Sequence, residues 1–178
     1  MRQRALLFKR AYRFQWSLSN QKEAFVRILI NSFGFKCKPL GIGVENRYYV
    51  KRIGSKPDFA VLDNNKVIAY IEVTGGNLNI QPGDELWVQK AKLKKFYKLR
   101  KKAKIFFVYL GFYDYKLSIA RYCEYEDLYP YCENPRDIRQ VDIRGIPELY
   151  IATPYSLWKP LSRLRIELAK LAGDNAWV

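Results

Sequence analysis

Apolar residues recur at helical spacing between Asn20 and Phe33, where Phe25, Ile28, Leu29 and Phe33 share a face and Gly34 follows as a stop. That spacing predicts a first helix with those four side chains turned to the core. Val44 to Ile53, rich in Tyr and Val, reads as extended. Two short apolar runs come next, Asp58 to Leu62 and Val67 to Thr74. The Asp63-Asn64-Asn65-Lys66 segment between them predicts a hairpin. Asp84 stands where an N-cap would, ahead of a long helix to about Lys102 that has Glu85 in its first turn and Lys and Arg in its last. Ile105 to Leu110 reads as a buried strand and Glu148 to Thr153 as another. Between them, Tyr113 to Gly145 is broken by Pro130 and Pro135 into short pieces. After Pro160, Leu161, Leu164, Leu168 and Leu171 line a final helix that stops at Gly173. Helix, strand, hairpin, helix, strand and a mixed tail predict one α/β (α+β) domain in layers.

Length agrees: 178 residues is the size of one domain with a core that needs no staples. Charge changes the picture more. Thirty-two Lys and Arg against seventeen Asp and Glu leave +15. Like charges repel and do nothing for folding, so the excess points to a polyanionic partner. Histidine is absent, which excludes His-based triads, His-ligated zinc and His general bases. Cys37, Cys123 and Cys132 are odd in number and far apart. They form no metal or disulfide signature and read as reduced thiols, hence a protein of the cytoplasm, or of whichever compartment holds its partner, that is not secreted. No apolar run is long enough to span a membrane. The Arg-rich start, with Arg2 and Arg4, reads better as an arm lying on nucleic acid than as a transit peptide.

The hairpin carries the chemistry. Alternation puts Phe59, Val61, Val67, Ala69, Ile71 and Val73 on one face. Ala60, Leu62, Ile68 and Tyr70 fall on the other, with Asp58, Glu72 and Thr74 at its open end. A three-residue turn, Asn64-Asn65-Lys66, would set Asp58 directly opposite Glu72, about 5 Å away. A two-residue turn would send the two acids to opposite faces. Facing carboxylates repel unless a cation or a shared proton intervenes. In a strongly basic chain the pair suggests Mg²⁺ (or Mn²⁺) held between protein and phosphate, for which one or two carboxylates suffice. The competing role for Glu72 is a buried salt bridge with a nearby lysine, since an unpaired carboxylate there would be costly.

Pro57-Asp58 followed by Ile71-Glu72-Val73-Thr74 resembles the PD-(D/E)xK motif of the restriction-endonuclease-like nucleases. The resemblance covers roughly residues 17 to 112, with residues 1–16 as a basic arm and 113–178 as a mixed extension ending in a helix. It implies a core of helix, three-strand meander, helix and strand around a mixed sheet. It also implies a DNA endonuclease that hydrolyses phosphodiester bonds with a metal-activated water. Asp58, Glu72 and Glu23 are then the metal ligands. Glu23 also has a capping-box position after Asn20, and the two roles are compatible. One departure matters: where the family usually has lysine, this chain has Thr74. Some members supply the lysine from the following helix. There Lys90, which would share a face with Leu86, Leu93 and Tyr97, is preferred to Lys92, with Lys56 an outside candidate. Gln89 resembles a helix glutamine of several nuclease branches.

Nine basic residues and no acid lie between Gln89 and Lys104. Lys92, Lys94, Lys95 and Lys98, with Arg2 and Arg4, are therefore expected on phosphates of duplex or branched DNA, with RNA not excluded. Two strands need two cuts, so a homodimer is expected. The rival reading keeps the fold and the binding but loses catalysis with the lysine. A basic membrane-surface protein is disfavoured because no strongly amphipathic basic helix stands out.

Overall fold

The computed structural model describes residues 21–40, 56–76, 80–114, 116–143 and 146–173. The expected strand at Val44 to Ile53 and the arm bearing Arg2 and Arg4 lie outside them. The first helix, α1 (21–32), ends as predicted at Gly34, whose φ of +92° is a left-handed stop. Its buried face differs from the expected one. Val26 and Ile30 are fully buried, whereas Phe25 and Ile28 are exposed, Ile28 by 69%. The apolar stripe is wider than one face, and the half facing the sheet is the one centred on Val26.

A meander follows: β1 (Lys36–Pro39), β2 (Phe59–Asp63) and β3 (Lys66–Thr74), each antiparallel to the next. The β2–β3 turn has two residues, Asn64 and Asn65, with φ of +46° and +65°, the twist that tight hairpins require. This corrects the three-residue turn, and alone it would separate Asp58 from Glu72. A β-bulge intervenes. Leu62 pairs with Val67 but Val61 pairs with Ala69, so Ile68 is an extra residue. Both Ile68 and Ala69 are buried in the same core cluster. Beyond the bulge the register is that of the longer turn, with Phe59 opposite Ile71. One further step puts Asp58 across from Glu72.

The long helix from Asp84 does not form. Residues Glu85–Gln89 make strand β4, and only Lys90–Phe96 is α-helical (α2), followed by a 3₁₀ turn at Leu99–Lys101. Leu86 and Val88 alternate with Glu85, Trp87 and Gln89. This is a period of two that buries both aliphatics, and the edge of another strand is there to receive it. Asp84 caps no helix; its Oδ2 accepts from the Gln81 amide at 2.7 Å.

Strand β5 (Lys104–Tyr113) pairs parallel with β3 and antiparallel with β6 (Lys116–Glu124). After the short helix α3 (Tyr125–Leu128) come β7 (Ile138–Ile143) and β8 (Ile146–Pro154). Strand β9 (Lys159–Pro160) and helix α4 (Leu164–Ala172) come last among the described residues, the helix stopping at left-handed Gly173 as expected. The result is a six-stranded mixed sheet, β1-β2-β3-β5-β6-β9, and a three-stranded antiparallel sheet, β4-β8-β7. Helices α1 and α4 cover one face of the large sheet, where Val26, Ile30, Leu164 and Leu168 meet Phe59, Ile71 and Val108. The small sheet and α2 cover the other, bringing Leu86, Val88, Leu93 and Phe96 against Ile105 and Phe107. Among the described residues no helix is long and apolar enough to cross a membrane.

Gly75 fixes how β3 ends. Its φ is +116°, and a Cβ there would stand 2.0 Å from the Leu110 carbonyl oxygen of β5. Gly75→Ala is expected to cost about 2–4 kcal/mol through overpacking and backbone strain, read as a lower urea midpoint at unchanged m-value.

Candidate active site

Asp58 lies just ahead of β2, and its Oδ2 accepts a 2.7 Å hydrogen bond from the Val73 amide. That bond ties the acid to the strand that carries its partner. Glu72 stands on β3 between β2 and β5, on the face turned to α2 and only 1% exposed. From α2, Lys92 forms an ion pair with Glu72 through Nζ and Oε1. Helix α1 contributes Glu23, whose carboxyl feels both Asp58 and Lys92.

The electrostatics follow from three carboxyls gathered about one ammonium. Burial pushes Glu72 up to about 8, with Lys92 opposing and Asp58 adding to the rise. Burial likewise raises Asp58, against the pull of Lys92 and the Val73 hydrogen bond. Glu23 is pushed up to about 7 by burial and then by Asp58, with Lys92 opposing. For Lys92 burial disfavours the charge, but attraction to Glu72 and Asp58 overcomes it and holds the ammonium above its ordinary range. One lysine cannot balance three acids, so the cluster is short of positive charge in a chain of net +15. Asp58 and Glu72 are hard oxygen donors facing each other, a set that fits a divalent cation such as Mg²⁺. Among the described residues no three acidic or Cys side chains stand close enough to hold a metal together. Glu23 therefore lies too far out to share one metal ion with both Asp58 and Glu72.

Lys90, the preferred lysine, points elsewhere. It and Lys94 act on Cys132, in the turn Tyr129–Cys132 packed beside α2. The preference assumed that Leu86 and Lys90 share a helical face. With Leu86 in β4 and the helix starting at Lys90, Lys92 lies one turn before buried Phe96 and turns inward instead. Thr74 is half-buried, two residues after Glu72 on the same side of β3. Gln89 is the last residue of β4, and its Nε2 donates to Glu148 Oε2 at 3.0 Å rather than to an acid of the cluster. Lys94, Lys95, Lys98 and Lys56 are exposed. Arg100 folds over the Tyr97 ring, 4.3 Å from its centroid.

The sequence reading missed Tyr150, whose hydroxyl is close enough to Lys92 to feel its charge and donates to Glu148 at 2.9 Å. Its signal lies in pairing, since Tyr150 reaches the site only because β8 pairs with β4, Gln89 opposite Tyr150.

The order α1, meander β1–β3, α2, β5 is the one the motif resemblance implied, with β4 inserted ahead of α2. No protein-family model and no curated protein matches the sequence. Among solved structures, the chain is similar to a nuclease from a fusselovirus, with 15% identity and a TM-score of 0.48 over 89% of this chain and 92% of that one. It is also similar to Hjc, a Holliday junction resolvase of the archaeal hyperthermophile Archaeoglobus fulgidus. That match has 10% identity and a TM-score of 0.46 over 82% of this chain and 98% of that one.

Proposed function

We propose that the protein is a metal-dependent endonuclease that hydrolyses phosphodiester bonds in DNA. The observation that carries this is the pair of half-buried Asp58 and buried Glu72, joined by an ammonium from the following helix. Asp58 and Glu72 would hold Mg²⁺ or Mn²⁺, and Glu23 would act from a longer range. A bound divalent cation supplies Lewis-acid polarisation of the phosphate and a more acidic water. Lys92, held in its charged form, is no general base; its Nζ stabilises negative charge developing on the phosphoryl oxygens. The Thr74 hydroxyl accepts or donates a hydrogen bond to the attacking water, orienting it for in-line displacement. Exposed Lys94, Lys95 and Lys98 of α2 and the turn after it grip flanking phosphates. A homodimer would present two sites to two strands.

The test is cleavage of labelled linear and supercoiled duplex, single strand, flap, four-way junction and RNA, with Mg²⁺, Mn²⁺ or EDTA. Cation-dependent cutting that disappears in Glu72→Ala is expected. Salt-sensitive binding with no cutting under either metal would replace the enzyme by a binding protein on the same fold.

A further inference from the structure

The outer face of the small sheet carries none of the three acids yet runs directly from the cluster, with Tyr150 at its near end. Register sets Gln89 opposite Tyr150, Trp87 opposite Ala152 and Glu85 opposite Pro154. On the far side of β8, Arg139 lies opposite Tyr150. Leu86, Val88, Ile151 and Thr153 take the inward positions and are buried. The outward row therefore carries Trp87, 39% exposed, and half-buried Tyr150.

Both rings are tied at their polar edge. Trp87 Nε1 donates to Glu85 Oε2 at 3.3 Å, and Glu85 is held in turn by Arg139 at 3.0 Å. The Tyr150 hydroxyl donates to Glu148 Oε2 at 2.9 Å, and the same oxygen accepts from Gln89 at 3.0 Å. Edge tethers restrict each ring's rotation without using its flat face. Diagonal neighbours on adjacent strands lie about 7–8 Å apart, wider than the roughly 3.4 Å rise of stacked bases, so two bases can each take one ring. Gln89, opposite Tyr150, directly precedes α2, whose Lys92 pairs with Glu72, so the row from Tyr150 to Trp87 leads away from the catalytic acids.

We propose that this face is a stacking platform for an unpaired nucleic-acid strand adjoining the scissile phosphate. The proposal rests on the nuclease reading and deepens it to a substrate class, DNA with a single-stranded arm at the cut. The face itself carries Glu85, held by Arg139, and Glu148, held by Gln89 and Tyr150, so attraction for phosphate comes from the chain's net charge of +15 and from exposed Lys94 and Lys95 of the adjoining α2. Ring faces select unpaired bases, because bases within a duplex have no free face to offer. A protein partner would want a contiguous apolar patch, whereas here the two aromatics are set among Glu85, Gln89, Arg139 and Glu148.

Binding in EDTA tests the platform without cleavage, using labelled oligo-dT, a flapped duplex and a blunt duplex. Trp87→Ala is expected to weaken oligo-dT and flap binding about 5- to 100-fold, the loss of one stacked base, and blunt-duplex binding less than twofold. Trp87→Phe should keep most of the affinity while removing the tryptophan quenching that oligo-dT causes in the wild-type protein. Wild-type affinity of Trp87→Ala for oligo-dT and flap would overturn the platform, as would an equal loss on all three DNAs. Quenching that persists unchanged in Trp87→Phe would do the same whether or not the alanine variant folds. Platform binding without cation-dependent cutting would instead reject the nuclease reading alone.

Discussion

Glu72→Gln is expected to lower DNA cleavage by about a thousandfold or more while leaving the protein folded. The amide keeps the shape of the side chain but loses the charge that a divalent cation needs, and Asp58 alone is a poor site. Folding survives because Lys92 still has Asp58 and Glu23 to balance it. Stability should even move the other way. Glu72 is held near 8 in the folded chain, against 4.5 as its ordinary value. A raised carboxyl favours the folded state below its unfolded pKa, and that contribution is lost as pH rises through the folded one. Without cation, wild type should therefore lose stability relative to Glu72→Gln between pH 5 and pH 8, in thermal melts run at a series of pH values. Adding Mg²⁺ or Mn²⁺ should reverse the trend in wild type and not in Glu72→Gln, because the cation binds only the ionised pair. Cleavage surviving in Glu72→Gln would move the chemistry away from the hairpin.

The parts of this site legible in the sequence were those fixed by short-range pattern. Ile71-Glu72 stands on a strand and Pro57-Asp58 just ahead of one, because alternation and a hairpin composition put them there, and the helix before them ends where Gly34 requires. The acids' juxtaposition was reached through a wrong intermediate. The turn is one residue shorter than expected, and the Ile68 bulge restores the register. Nothing local announces a bulge in a run of buried aliphatics, since Val67, Ile68 and Ala69 suit either face. The failure at residues 85–89 has a different cause. Lys-rich sequence favours helix, and Leu86, Lys90 and Leu93 fit a helical stripe. Pairing with β8, some sixty residues away, turns Glu85–Gln89 into a strand instead. That displacement starts the helix at Lys90 and so decides which lysine faces the acids. Tyr150 and Glu148 were out of reach for the same reason, because their place depends on a partner strand distant in sequence.

Which lysine serves the acids is the point where structure and sequence part most sharply, and it is open to measurement. Lys92→Met should reduce cleavage by about 100- to 1000-fold, the usual loss when a preorganised charge at a reacting centre is removed. Lys90→Met, which removes a charge acting on Cys132, should stay within about threefold and show its effect mainly through the salt dependence of binding. Lys92 is also the group that holds Asp58, Glu72 and Glu23 down against burial. Its loss should shift the acidic limb of the pH–rate profile upward, since all three carboxyls then ionise later. A merely structural lysine would lower activity without moving that limb. Thr74 offers the converse test. It lies two residues beyond Glu72 on the same side of β3, where the resembling nucleases carry lysine. Thr74→Lys in the Lys92→Met background should recover part of the lost rate, because the charge returns to the same acids from the strand instead of the helix. If Lys90→Met proves as damaging as Lys92→Met, or Thr74→Lys restores nothing while the double variant folds and binds DNA, the ion pair with Glu72 is a support for the hairpin and not part of the reaction.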